Sequence, residues 1–186
     1  MSRIFLGYWN VSVILTYLEL ISAFTGITLA ADGQPGRAIL CLAICGVCDM
    51  FDGKIARAIE RSEDACVFGI QIDSLCDLVS FGVLPALIVC SFGITGALRA
   101  IPACYALCAL IRLAYFNVSE QKRRLETTEN RKVFEGLPVT TAALVFPLIY
   151  LLSRGNERLM TELMGAVMAL MAVLFISRIR VKKPQI

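Results

Sequence analysis

The sequence predicts an all-α fold, an integral membrane bundle of six transmembrane helices. Three observations carry that expectation. The chain has 186 residues, of which 58% are hydrophobic, and its mean hydropathy is +0.73. Such a composition excludes disorder and argues against a water-soluble domain. The length accommodates about six spans of ~20 residues joined by short loops, so a single membrane domain over residues 1–186 is expected. Finally, the basic residues are unevenly placed between the two ends of those spans.

The spans fall at about 9–31, 36–58, 65–91, 97–117, 136–153 and 158–177. The first is a permanent helix rather than a cleaved leader, because it is long and Glu19 interrupts its apolar core. Tyr8 and Trp9 before it suit an interfacial anchor. The second runs toward the basic end at Arg57 and Arg61, and the third returns from Asp64. Their short charged connection makes them antiparallel neighbours. The fourth ends in Arg112-Leu113-Ala114-Tyr115-Phe116-Asn117, and residues 120–130 read as a solvated loop. Gly136 and Pro138 form a turn into the fifth span, where Pro147 also falls. The sixth, Leu159 to Ile176, is plain apolar helix.

With both termini on one side, that side collects Arg3, Arg57, Arg61, Lys122, Arg123, Arg124, Arg131, Lys132, Arg178, Arg180, Lys182 and Lys183. The other side holds Arg37, Arg99, Arg154 and Arg158. The positive-inside rule then places both termini in the cytoplasm and the chain in the cell membrane as a multi-pass protein. Basic residues so spread over span ends give no nucleic-acid partner. The chain's 8 cysteines and absence of histidine do not suggest zinc. Cys41, Cys45 and Cys48 read as small apolar residues within a span.

Four acids stand where a membrane helix resists them: Asp49, Asp52, Asp73 and Asp77. A carboxylate at the centre of a span costs roughly 2.5–3.5 kcal/mol on insertion scales and needs a partner. Residues 49, 52, 53 and 56 share one helical face, and so do 69, 73 and 77. Counting from Arg57 and Asp64, both acidic faces lie roughly 12–13 Å from their helix ends at ~1.5 Å per residue. They can therefore meet at one depth, near the cytoplasmic surface. Few bases lie nearby, and oxygen ligands suit Mg2+, Ca2+ or Mn2+. Gly53, Ala56 and Gly69 on the same faces either allow close helix packing or leave space for a ligand.

Together these residues spell D-x2-D-G-x2-A-R, from Asp49 to Arg57, then G-x3-D-x3-D, from Gly69 to Asp77, after eleven residues. The pattern resembles the signature of the CDP-alcohol phosphotransferases, membrane enzymes of phospholipid synthesis. The resemblance implies that Asp49, Asp52, Asp73 and Asp77 bind two divalent ions, Mg2+ or Mn2+, and that Asp77 is the catalytic base. It also implies a CDP-lipid site at Gly53, Ala56, Arg57 and Gly69, with Arg57 near the phosphates. A homodimer is implied as well.

Three further runs resemble the branch of that family whose acceptor is L-serine: Phe68 to Ala86, Arg112 to Asn117, and Phe134 to Pro138. That implies CDP-diacylglycerol, or a CDP-archaeol-like lipid, as donor. A zwitterionic acceptor needs a cation and oxygen atoms, for which Arg112, Asn117, Arg131 and Lys132 are the candidates. The first span departs from the pattern. Relatives often have Asn three residues after a Thr, whereas Thr16 is followed by Glu19. Two alternatives stay open: a glycerol 3-phosphate or inositol phosphate acceptor, and a divalent-cation transporter using its intramembrane acids.

Overall fold

The computed structural model describes residues 7–8, 11–58, 62–94, 96–126 and 133–182. The side chains of residues 11, 12, 56–58, 97, 123–126, 133–135 and 180–182 are outside that description. The described chain is helical apart from one small ribbon. The helices are α1 (Val11–Ala31), α2 (Pro35–Ala58), α3 (Glu63–Asp77), α4 (Leu84–Ser91), α5 (Ala100–Glu126), α6 (Ala142–Leu152) and α7 (Glu157–Ile176). Strands β1 (Val133–Glu135) and β2 (Arg180–Lys182) pair antiparallel, with Phe134 opposite Val181.

Among the described residues, four segments are long and apolar enough to cross a membrane: Val13–Ala31, Glu63–Ser91, Ala100–Lys122 and Glu157–Ile176. Helix α2 has the length but carries Arg37, Asp49, Asp52, Lys54 and Arg57. Helix α6, with the turn before it, is apolar but short, at Val139–Leu152. Large apolar side chains point outward, among them Phe24, Leu144 and Leu152, exposed by 64%, 74% and 77%. Such a surface suits lipid rather than water.

Local chemistry explains the turns. Helix α1 ends in a Schellman motif: Gly33 takes φ +71°, Gln34 N–H donates to Leu29 O, and Gly33 N–H donates to Ala30 O. Those two bonds satisfy carbonyls the helix end would orphan. Ser62 caps α3, its hydroxyl accepting from Ala65 N–H at 3.3 Å. Asn156 caps α7 by accepting from Leu159 N–H at 3.0 Å.

Packing brings the acidic helices into the centre. Helix α1 lies along α2 and also touches α3 and α4, while α5 packs on α7 and α2 on α6. The α2–α6 approach is close because Gly46 faces Ala143: a Cβ on Gly46 would stand 2.5 Å from that of Ala143. Leu42, Phe81, Leu84, Tyr105, Phe146, Met164 and Phe175 fill the shared core.

Three expectations need correction. Residues 120–126 are not loop, because α5 continues unbroken to Glu126. The run Glu120-Gln121-Lys122-Arg123-Arg124-Leu125-Glu126 consists of strong helix formers with no breaker, and polarity alone suggested otherwise. The segment 65–91 is not one uniform helix, since a π-helical turn spans Leu78–Val83. The fifth helix begins at Ala142, after a 3-10 turn at Val139–Thr141, because Pro138 holds an extended ψ of 138° just before it.

Candidate active site

Helices α2 and α3 place their acids as the three- and four-residue spacings anticipate. Asp49 and Asp52 lie one turn apart on α2, and Asp73 faces them from α3. One carboxylate oxygen from each can be chosen so that all three lie within 4.8 Å of one another. Asp52 is buried and the other two are half-buried. Asp77 is outside that trio, one turn further along α3. It is 8% exposed, and its Oδ1 is buried with no hydrogen-bond partner among the described residues.

Three negative groups this close repel strongly where water is scarce. The donor set is all oxygen, drawn from two rigid helices, with a fourth carboxylate buried beside it. That chemistry fits hard divalent cations such as Mg2+ and Mn2+.

The first helix closes one wall of the site, which spacing alone did not reveal. Thr16 Oγ1 donates to Asp52 Oδ2 at 3.2 Å in a buried bond. Cys76 Sγ donates to Thr16 O at 3.3 Å, and Cys45 Sγ donates to Glu19 O at 3.5 Å. The cysteines thus tie α2 and α3 to α1 through weak bonds, and all eight are free thiols. Glu19 is completely buried. Ser80 lies alongside, yet neither Glu19 oxygen forms a hydrogen bond among the described residues. The signal for this wall was present in the sequence as two polar residues, Thr16 and Glu19, on one face of an apolar span.

The other anticipated residues separate into groups. Gly53 has open space where a Cβ would stand, with nothing within 4 Å among the described residues. It therefore does not serve close packing, unlike Gly46. Gly69 is half-buried one turn before Asp73. Ala56 and Arg57 lie in the last turn of α2, with side chains outside the described set. Arg131 and Lys132, like Trp9, lie outside the described residues.

Asn117 meets the acidic helix directly, its Oδ1 accepting from the Ser74 hydroxyl at 3.0 Å. Ser74 adjoins Asp73, so α5 is coupled to the ligand-bearing helix. Arg112 is buried on α5, with its guanidinium 5.3 Å from the Phe116 ring centroid. Gly136 sits against it at φ +76°, where a Cβ would stand 2.8 Å from Phe175 O and 3.4 Å from Arg112 Nε. Gly136 N–H donates to Ile179 O, and Leu137 N–H to Leu174 O. The Gly136 turn is therefore fastened over the end of α7 and beside Arg112.

These features define an integral membrane helix bundle with an acidic, oxygen-lined site held between two of its helices and walled by a third. The sequence pattern of the family described as CDP-alcohol phosphatidyltransferase matches residues 9–177. The chain belongs to that family of transferases. It is 42% identical over 153 residues to the CDP-diacylglycerol–serine O-phosphatidyltransferase of Saccharomyces cerevisiae, covering 75% of this chain and 54% of the relative. It is 32% identical over 160 residues to the archaetidylserine synthase of Methanothermobacter thermautotrophicus, covering 85% and 65%. A CDP-diacylglycerol–serine O-phosphatidyltransferase of Helicobacter pylori is 33% identical over 145 residues, covering 72% and 55%. The chain thus spans between half and two thirds of the length of these relatives.

Proposed function

We propose that this protein transfers a phosphatidyl group from CDP-diacylglycerol, or the equivalent group from a CDP-archaeol-like lipid, to the hydroxyl of L-serine. The observation that carries this reading is the Asp49, Asp52 and Asp73 trio, with oxygens within 4.8 Å of one another, in a chain whose similar relatives are named for serine transfer. Asp49, Asp52, Asp73 and Asp77 would hold two divalent ions, Mg2+ or Mn2+, which neutralise phosphate charge and align the reacting oxygens.

The chain's own groups do the rest. Open space at Gly53 admits the nucleotide beside the acids, with Ala56, Gly69 and Arg57 lining its approach. Serine Oγ forms a bond to the lipid-linked phosphorus, the bond to the CMP oxygen breaks, and CMP leaves. Asp77, with no hydrogen-bond partner at Oδ1 among the described residues, takes the serine hydroxyl proton. Arg112 pairs with the serine carboxylate, as a buried guanidinium favours a charge-assisted partner. Asn117, Arg131 and Lys132 complete the acceptor side. All six helical segments cross the membrane in this reading, with the site and both termini toward the cytoplasm, and two copies associate as a homodimer.

The test is incorporation of radiolabelled serine by pure protein. Label should enter lipid only with CDP-diacylglycerol and Mg2+ or Mn2+ present. Use of glycerol 3-phosphate with none of serine would overturn the acceptor assignment, and full transfer in excess chelator would overturn the role of the acids.

A further inference from the structure

The π-helical turn at Leu78–Val83 follows Asp77 immediately, and its cause is on the chain. In a continuous α-helix the carbonyl of Phe81 would accept from the N–H of residue 85, but Pro85 has none, and its ring crowds that carbonyl. The helix widens instead: Leu78 N–H still reaches Ser74 O, four residues back, whereas Leu84 N–H reaches Val79 O, five back. The Phe81 carbonyl accepts from the hydroxyl of Tyr105 on α5 at 2.8 Å. Tyr105 is completely buried. Its ring is clamped by Phe146, with centroids 6.0 Å apart and planes at 83°, and by Phe175, with centroids 5.2 Å apart. The hydroxyl is thus delivered by a fixed ring to the carbonyl of a fully buried residue, where an unmade hydrogen bond is costly.

One residue accommodated in a π turn offsets the helix faces on either side by about 100°. The α4 side is anchored by Leu84, Ile88 and Val89, all completely buried. The offset therefore acts on the other side, where Asp77 and Asp73 stand. We propose that Tyr105 is a positioning residue: by holding the Phe81 carbonyl, its hydroxyl fixes the widened turn that aims Asp73 and Asp77 at the acids of α2. The inference rests on the reading of these aspartates as metal ligands.

The experiment measures Mn2+ binding to purified full-length protein by electron paramagnetic resonance, without substrate, beside the thermal midpoint. Tyr105→Phe should bind Mn2+ about tenfold more weakly, the scale of one buried hydrogen bond lost. Pro85→Ala restores an N–H to the Phe81 carbonyl and removes the cause of the wide turn, so it should itself weaken Mn2+ binding, and in that background removing the hydroxyl should change the affinity little further. Tight wild-type binding that Tyr105→Phe leaves unchanged, with only the midpoint lowered, overturns the proposal alone. No Mn2+ binding by wild type overturns it together with the metal reading. If Tyr105→Phe does not fold, Pro85→Ala decides: folded with Mn2+ binding weakened about tenfold it upholds the proposal, and folded with wild-type affinity it overturns it.

Discussion

Gly46 and Gly53 lie seven residues apart on α2, yet adding one methyl group to each should have opposite effects. A Cβ at Gly46 would approach that of Ala143 to 2.5 Å, while a Cβ at Gly53 would meet nothing within 4 Å among the described residues. The Ala143 Cβ is fixed to its backbone, so relief requires α6 to move away from α2. Overpacking of this kind costs about 1–3 kcal/mol, and the better helix propensity of alanine offsets at most about 1 kcal/mol of it. Gly46→Ala should therefore destabilise by up to about 2 kcal/mol. Gly53→Ala keeps the propensity gain with no clash, stabilising by up to about 1 kcal/mol. At roughly 2–4 °C per kcal/mol for a chain of this size, the two variants should shift the melting midpoint in opposite directions. The assay is thermal unfolding in one detergent, paired with CDP-diacylglycerol binding. Gly53→Leu should fold and yet lose binding, because its side chain enters the space beside the acids. A fall in midpoint for Gly53→Ala as large as that for Gly46→Ala, or full lipid binding by Gly53→Leu, would refute the assignment of that space to a ligand.

Asp73→Asn should retain the helical spectrum of the parent and lose serine transfer, with Mn2+ titration showing weakened binding. Arg112→Ala should raise the KM for serine roughly tenfold or more, the scale of a charge-assisted bond, leaving CDP-lipid affinity unchanged; a weakened CDP-lipid site with unaltered serine kinetics would reassign the arginine to phosphate. Lys122→Cys, in a background without native cysteines, should resist an impermeant thiol reagent added to intact cells, and ready labelling from outside would reverse the proposed orientation.

The acids were legible because helical periodicity is strict: spacings of three and four residues put Asp49 with Asp52 and align Asp73 with Asp77. Small residues were less legible. Spacing placed Gly53 on the ligand-facing stripe but could not separate it from a packing glycine such as Gly46, since only the partner helix distinguishes them. The π turn in the third segment was not read from the sequence, because that outcome depends on Pro85 lacking a donor and on Tyr105 from another helix supplying one. Polarity misled at residues 120–126, where helix propensity outweighed it. Thr16 and Glu19 marked a polar face on the first helix, but the partner of Thr16 was hidden for a related reason. The value of Thr16 lies in a bond to Asp52, 36 positions away, and no local pattern encodes such a pairing.

The charges on α2 have a consequence for how the chain is made. Arg37, Asp49, Asp52, Lys54 and Arg57 make α2 a poor candidate for entering lipid alone. Its buried acid, Asp52, accepts a hydrogen bond from Thr16 of the helix synthesised before it, and the acid trio is completed by Asp73 from the helix synthesised after it. Helix α2 should thus be retained in the bilayer only as the middle member of a three-helix unit, with cation capture closing the unit late in biogenesis. Glycosylation-reporter fusions ending after α2 should show incomplete insertion that those ending after α4 correct, and complete insertion of the shorter fusions would show that α2 enters unaided.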